Sequence, residues 1–372
     1  MSTFEIILVA LAIISIIVLH VFFFKKLPKR KSLIVAPLCV ILVLSAGIFA
    51  AFGSRTFKEK HNDFSDLPVA YRKYGFVYSF SRSIFDNGIT EPGDYSAKSV
   101  AEILEKINSV PDQTRNDLNI IVVQLESFFD AKLMKNLNFS SDPVPNFTKL
   151  KETCPTGRLG VPSVGAGTAN TEFEVLTGMS IDYFGVGEYP YKTILHDRTC
   201  ESAAYLLNDI GYGTHAIHNH TGTFYDRNLV YPSLGFDTFT SIEYMNGYSV
   251  NPLGWACDDI ILDEIIKSVN STKTKDFVFA ITVQSHGDYP DKPFDNYEIK
   301  VKVDGAPHDK LDSNWEYYAT QLFEMDQFIG KTVEYFSSFD EPTVVVFYGD
   351  HMPTIKLIND ENLDGISSYE TE

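Results

Sequence analysis

The sequence predicts an α/β fold, a mainly parallel sheet flanked by helices, preceded by two transmembrane helices. Three observations predict it. NIIVVQLE (119–126), THAIH (214–218), DFVFAITV (276–283) and PTVVVFYG (342–349) have the length and apolar, β-branched character of strands buried on both faces. Helical patterns alternate with them, at residues 146–152, 200–212, 258–269 and 314–336, which is the texture of a parallel sheet with crossover helices. Two long stretches free of Asp, Glu, Lys and Arg, residues 6–24 and 32–53, open the chain.

Each opening stretch meets the requirement of a bilayer core about 30 Å thick for roughly 20 apolar helical residues. A cleaved signal peptide would begin with a basic segment, whereas this chain begins MSTFE. Lys25, Lys26, Lys29, Arg30 and Lys31 crowd the short connector. The positive-inside rule puts that connector in the cytoplasm, against a weaker pull from Arg55, Lys58 and Lys60, so residues from about 55 onward are expected outside the cell. The expected organisation is a membrane anchor (1–54), a juxtamembrane linker with a helix over 96–107 (55–115), and one globular domain (116–372). The implied location is the cell membrane, with the globular domain extracellular.

A formal charge of −18 over 372 residues argues against nucleic acid as a partner, and requires local cations or a metal to hold any anionic substrate. Cys39 falls in the second apolar stretch. Cys154, Cys200 and Cys257 show no metal-type spacing and no dense disulfide framework; one disulfide or reduced thiols both fit.

In parallel sheets chemistry gathers at the carboxyl ends of the strands. Three ends are polar here: Glu126 after the first strand, Gln284-Ser285-His286 after DFVFAITV, and Asp350-His351 after the last. Singly, each is an ordinary solvated loop residue. Together, Glu126, Asp350 and His351 offer two carboxylates and an imidazole, a set suited to zinc or manganese. A fourth element is GAGTANTEF (165–173). Its Thr168 begins a helical pattern, where the unpaired N–H groups favour anions, although an N-cap explains the same residue. A fifth, HAIHNHTGTFYDRN (215–228), brings His218, His220, Tyr225 and Arg227 into one turn-rich stretch. Arg227 can grip a phosphate by two parallel hydrogen bonds or simply pair with an acid.

In order, NIIVVQLESF, GTANTEF, FYDRN, QSH and FYGDH resemble the extracellular domain of lipoteichoic acid synthases and related phosphoglycerol transferases. These belong to the alkaline phosphatase/sulfatase superfamily, and the resemblance spans about residues 119–351. It implies that Glu126, Thr168, Asp350 and His351 bind one divalent cation, manganese in the synthases, with zinc or magnesium as alternatives. It implies that Thr168 is the nucleophile, that Arg227 and His286 hold the glycerophosphate headgroup, and that His286 can protonate a leaving oxygen. Tyr225 stands where the synthases carry a tryptophan, and His218 lies in a neighbouring part of the pocket. The implied reaction moves glycerophosphate from phosphatidylglycerol, through a phosphothreonine-type intermediate, to a glycolipid or polyglycerophosphate acceptor at the membrane.

Two features depart from that family. The synthases carry five membrane helices against two here, which implies a short-anchored relative or a missing N-terminal part. They also continue beyond the position of His351 with further strand and helix, which implies a domain incomplete at its C-terminus. Three rival functions remain. A sulfatase activity needs a C/S-x-P-x-R motif that Thr168-Ala169-Asn170 does not supply; a phosphoethanolamine transferase shares the threonine but uses zinc; a wall-polymer-binding protein would need no intact ligand set.

Overall fold

The computed structural model describes residues 67–85, 93–109, 117–185 and 187–372. Both expected membrane spans lie outside the described residues. Among the described residues no helix is long and apolar enough to cross a membrane.

Five strands form the central sheet: β1 (Asn119–Leu125), β2 (Gly213–His218), β3 (Thr238–Ser241), β4 (Asp276–Ile281) and β5 (Thr343–Gly349). Their order is β3-β2-β4-β1-β5 and every pairing is parallel, so all five carboxyl ends share one edge. Helices α1 (Leu67–Tyr74), α2 (Phe76–Phe85) and α3 (Ala97–Asn108) precede the sheet. Within it come α4 (Pro145–Thr153), α5 (Thr168–Thr177), α6 (Ala203–Asn208), α7 (Arg227–Ser233), α8 (Asp259–Val269) and α9 (Asp309–Ser337).

The period-2 alternation of the strands divides the core into two layers. Val278 and Ala280 of β4 and Ile121, Val123 and Leu125 of β1 face Ile261 and Ile265 of α8, and Trp315, Tyr318 and Leu322 of α9. Phe277, Phe279 and Ile281 face the other way, onto Phe173 of α5 and Val230 and Tyr231 of α7. Phe279 is fully buried, and truncating a ring in such a place costs about 3–5 kcal/mol. The sheet is thus held from both sides, and its carboxyl edge is a rigid frame for polar residues.

Three local expectations change, and two elements appear that the sequence did not announce. The last strand, expected to be buried on both faces, is an edge strand that pairs only with β1, and its Val344 and Val346 are 40% and 45% exposed. The helix expected over 200–212 shrinks to α6: the Ser202 hydroxyl accepts from the amides of Ala204 and Tyr205 at its start, and Gly211 at φ 94° turns the chain after its end. The helix expected from 314 begins earlier, at Asp309, where His308 Nδ1 accepts from Leu311 N. Strand β3 and helix α7 carry weak signals, the first being four residues long and the second containing Pro232.

Register positions the chemistry. Leu125 of β1 lies opposite Gly349 of β5, so the next residue on each strand, Glu126 and Asp350, emerges side by side. A side chain at 349 would place its Cβ 2.0 Å from the Phe128 carbonyl oxygen, so only glycine permits this approach. Gly349→Ala should therefore lower unfolding stability by about 1–3 kcal/mol, as overpacking does. An unchanged midpoint in urea-induced unfolding would show that the Phe128 carbonyl yields without strain.

Candidate active site

Glu126 ends the central run of β1 and is 3% exposed. Its amide donates to Thr282 Oγ1 at 2.8 Å, tying it to the end of β4. Ser127, the next residue, has φ 52°, a left-handed conformation that non-glycine residues adopt rarely and that concentrates at functional turns. This turn aims the Ser127 amide at Asp350 Oδ1 (2.7 Å) and its hydroxyl at Glu126 Oε1 (2.9 Å). One backbone kink therefore orients both carboxylates.

Asp350 and His351 follow β5 and are buried. His351 Nδ1 donates to the Met352 carbonyl at 3.0 Å, which leaves Nε2 facing the carboxylates, 3.3 Å from Asp350 Oδ2 and 3.7 Å from Glu126 Oε1. Ligand atoms of Glu126, Asp350 and His351 all lie within 4.8 Å of one another.

Thr168 opens α5. The cap of this helix is Gly167, at φ 97°, where a side chain would strike Ser163 Oγ. Thr168 is thus not the N-cap. Its hydroxyl lies 3.4 Å from Glu126 Oε2 and 3.5 Å from His351 Nε2. Three residues on, Thr171 Oγ1 donates to the Asp350 carbonyl at 2.8 Å and pins the helix start against the end of β5.

The electrostatics of this cluster are unfavourable without a cation. Burial pushes the Glu126 carboxyl above its ordinary range, with His351 and the Ser127 hydroxyl pulling back. Burial and then the Glu126 charge push Asp350 up to about 7. Burial would depress His351, yet the Asp350 and Glu126 charges outweigh it and hold the imidazole above its usual value. Asp350 Oδ2 is buried and makes no hydrogen bond. Two crowded carboxylates, an orphaned oxygen and an imidazole with its lone pair turned inward form a donor set that fits a divalent cation.

Arg227, the first residue of α7, is 1% exposed. Its Nε donates to Glu172 Oε2 at 3.1 Å, its Nη2 to Glu172 Oε1, and its Nη1 to the Phe224 carbonyl at 3.2 Å. The fork anticipated for a phosphate is thus closed on one edge by Glu172, and the remaining N–H groups are what a ligand can use. Tyr231 OH also donates to Glu172, at 2.7 Å. Tyr225, at φ 57°, lies under the guanidinium at 5.2 Å.

His218 is the last residue of β2, and His286 lies in the loop that follows β4. His218 is buried, pairs through Nδ1 with the Ile281 carbonyl at 3.1 Å, and is pushed well below the usual imidazole range by burial and Arg227. His286 is lowered by burial and by His351, and its Nδ1 is buried without a hydrogen bond. The Ser285 hydroxyl ties this loop to the Glu126 carbonyl.

Several neighbours escaped the sequence reasoning. Glu172 lay inside a quoted motif, but its partner is 55 residues away. Lys192 sits 5.1 Å above the Tyr225 ring and Tyr189 stacks on that ring at 5.6 Å, both on a segment with no periodic signal. Trp255 packs on His286 at 4.5 Å, from a loop whose approach no sequence pattern announces. Because Glu172 neutralises a buried guanidinium, Glu172→Ala should destabilise the chain by about 3–5 kcal/mol, and Tyr231→Phe by about 1 kcal/mol. Equal denaturation midpoints for Glu172→Ala and the unaltered chain would remove the ion pair as a structural element.

Comparison with known proteins agrees with this architecture. A sulfatase family model matches residues 118–368. A Rhizobium meliloti protein named for cyclic beta-1,2-glucan modification is 29% identical over 293 residues, covering 79% of this chain and 45% of that protein. The capsular polysaccharide biosynthesis protein RkpI of the same organism is 27% identical over 254 residues, covering 67% and 44%. The chain therefore spans under half the length of either relative. The Streptococcus pyogenes phosphoglycerol transferase GacH, solved in complex with sn-glycerol-1-phosphate, superposes with a TM-score of 0.64 at 24% identity over 72% of each chain, which shows a common fold. With β1, the Thr168 helix and the Asp350-His351 turn all inside the matched span, the chain belongs to the sulfatase family.

Proposed function

We propose that this chain is a membrane-anchored phosphotransferase that moves a phosphoglycerol group from phosphatidylglycerol to an acceptor hydroxyl, with Thr168 as the nucleophile. The acceptor is a glycolipid, a growing polyglycerophosphate or a saccharide, the last suggested by relatives named for glucan modification and capsular polysaccharide biosynthesis. The observation that carries this is a helix-opening threonine hydroxyl between Glu126 Oε2 and His351 Nε2, at the rim of a buried carboxylate–imidazole triad.

Glu126, Asp350 and His351, with the Thr168 hydroxyl beside them, would hold one divalent cation, which we take to be manganese. When bound, such a cation lowers the pKa of a neighbouring hydroxyl and neutralises charge on phosphoryl oxygens. The chain's own residues supply the rest. The Thr168 oxygen forms a bond to phosphorus as the bond to the diacylglycerol oxygen breaks, and that oxygen leaves with a proton. The acceptor hydroxyl then attacks the same phosphorus, releases Thr168 and surrenders its proton, so phosphodiester bonds are conserved in number. His286, kept neutral by burial, is suited to carry the proton between these oxygens. The remaining N–H groups of Arg227 and the Lys192 ammonium supply positive charge for the phosphate, which the net charge of −18 otherwise repels. The apolar stretches 6–24 and 32–53 would keep the site at the outer face of the membrane, where a lipid headgroup is within reach.

Exposure of the full chain to phosphatidylglycerol should leave a glycerophosphate adduct on the peptide containing Thr168, detected by mass spectrometry. Thr168→Ala should lower headgroup release by at least about a thousandfold. Normal turnover by that variant would exclude Thr168, and a phosphoethanolamine adduct from phosphatidylethanolamine would reassign the donor. Added Mn2+ should raise the thermal midpoint reversibly with chelator, by about 2.7 kcal/mol of stability at one hundred times its Kd. Asp350→Asn should abolish that rise, and its persistence would place the cation elsewhere.

A further inference from the structure

Beyond the groups that handle phosphate, an aromatic surface runs from Tyr225 toward His286. Tyr225 contacts Phe224 (4.7 Å between ring centroids), Phe224 contacts His220 (5.0 Å), His220 contacts Trp255 (5.3 Å), and Trp255 contacts His286 (4.5 Å). Trp255 is half-buried and contributes to neither apolar core layer.

Its backbone is nevertheless held in place. The buried Asn251 accepts from the amides of Leu253 and Trp255, both at 3.0 Å, and donates to the Gln284 carbonyl (2.8 Å) and to Gln321 Oε1 of α9 (2.9 Å). Asn219 donates to the Ala256 carbonyl at 3.2 Å, and Val250 bridges Ala256. A large aromatic residue fixed on a rigid loop, half open to solvent beside an unpartnered His286 Nδ1, is a preorganised ligand platform rather than a packing element.

Charge narrows the ligand. Between residues 213 and 259 the one Lys or Arg is Arg227, which is buried and paired with Glu172. Lys192 lies on the Tyr225 side, away from Trp255 in the ring sequence. Burial holds His220 below the usual imidazole value, so it offers hydrogen bonds rather than charge. The same loop exposes Tyr244 and Tyr248. An aromatic face bordered by the imidazoles of His220 and His286 suits the alternating C–H and hydroxyl surface of a sugar. It offers nothing to a polyanion or an anionic lipid surface.

We propose that Trp255, with His220 beside it, is the acceptor subsite of this chain and binds an uncharged saccharide. This rests on the transferase function proposed above, because the platform adjoins His286 where an acceptor hydroxyl must arrive.

The test is titration of the full chain with a neutral β-1,2-linked glucohexaose, without donor lipid or added cation. The chain has two tryptophans and Trp315 is fully buried, so a saturable change in tryptophan emission reports on Trp255. By calorimetry, Trp255→Leu should weaken binding about tenfold or more, whereas Trp255→Tyr, which keeps a ring face, should stay within about threefold of the unaltered chain. Equal affinity for the Leu variant would overturn the subsite. So would a response to polyglycerophosphate in place of the hexaose that Trp255→Leu abolishes. With phosphatidylglycerol and Mn2+ then added, saccharide binding without phosphoglycerol transfer to any acceptor would keep the subsite and sink the transferase. Transfer to the saccharide with binding untouched by Trp255→Leu would sink the subsite alone.

Discussion

The site depends on one forced proximity, that of two carboxylates and an imidazole buried at the ends of adjacent parallel strands. The pairing of β1 with β5, and the absence of a side chain at Gly349, bring Glu126 and Asp350 within reach of one another in a place from which water is largely excluded. Such a grouping is unstable on its own terms: burial raises the pKa of both acids, and the Glu126 charge raises that of Asp350 further. The fold tolerates it because two apolar layers clamp the sheet and because Ser127 donates to both carboxylates. The proposed divalent cation would offset that repulsion.

Much of this was readable in the sequence, for identifiable reasons. Strands β1, β4 and β5 are dense in β-branched and aromatic residues, and that density announces buried sheet. Glu126, Asp350 and His351 were legible because polar residues directly after such runs stand out, and a parallel sheet collects strand ends at one edge. Thr168 was legible only as one of two alternatives, and its distance from both Glu126 and His351 comes from the fold. The edge position of β5 was not readable: Thr-Val-Val-Val-Phe is as apolar as any central strand, and exposure of Val344 and Val346 depends on how many neighbours the strand has.

What the sequence hid most completely is pairing across distance. Glu172 and Arg227 are each unremarkable locally, and only the packing of α7 on α5 shows that they neutralise one another. Trp255 was silent for a similar reason, since its role comes from Asn251 and Asn219 fixing a loop with no periodic pattern. Long-range polar contacts leave no local trace, and functional sites are rich in them.

The salt link between Glu172 and Arg227 has a mechanical consequence. Thr168 and Glu172 stand about one turn apart on the same helix, so the hydroxyl and the carboxylate that grips Arg227 share one element. Arg227 opens α7 directly after the left-handed Tyr225 and Asp226, so its pairing with Glu172 ties that turn to α5. A single ion pair thus braces the turn against the helix that begins at Thr168.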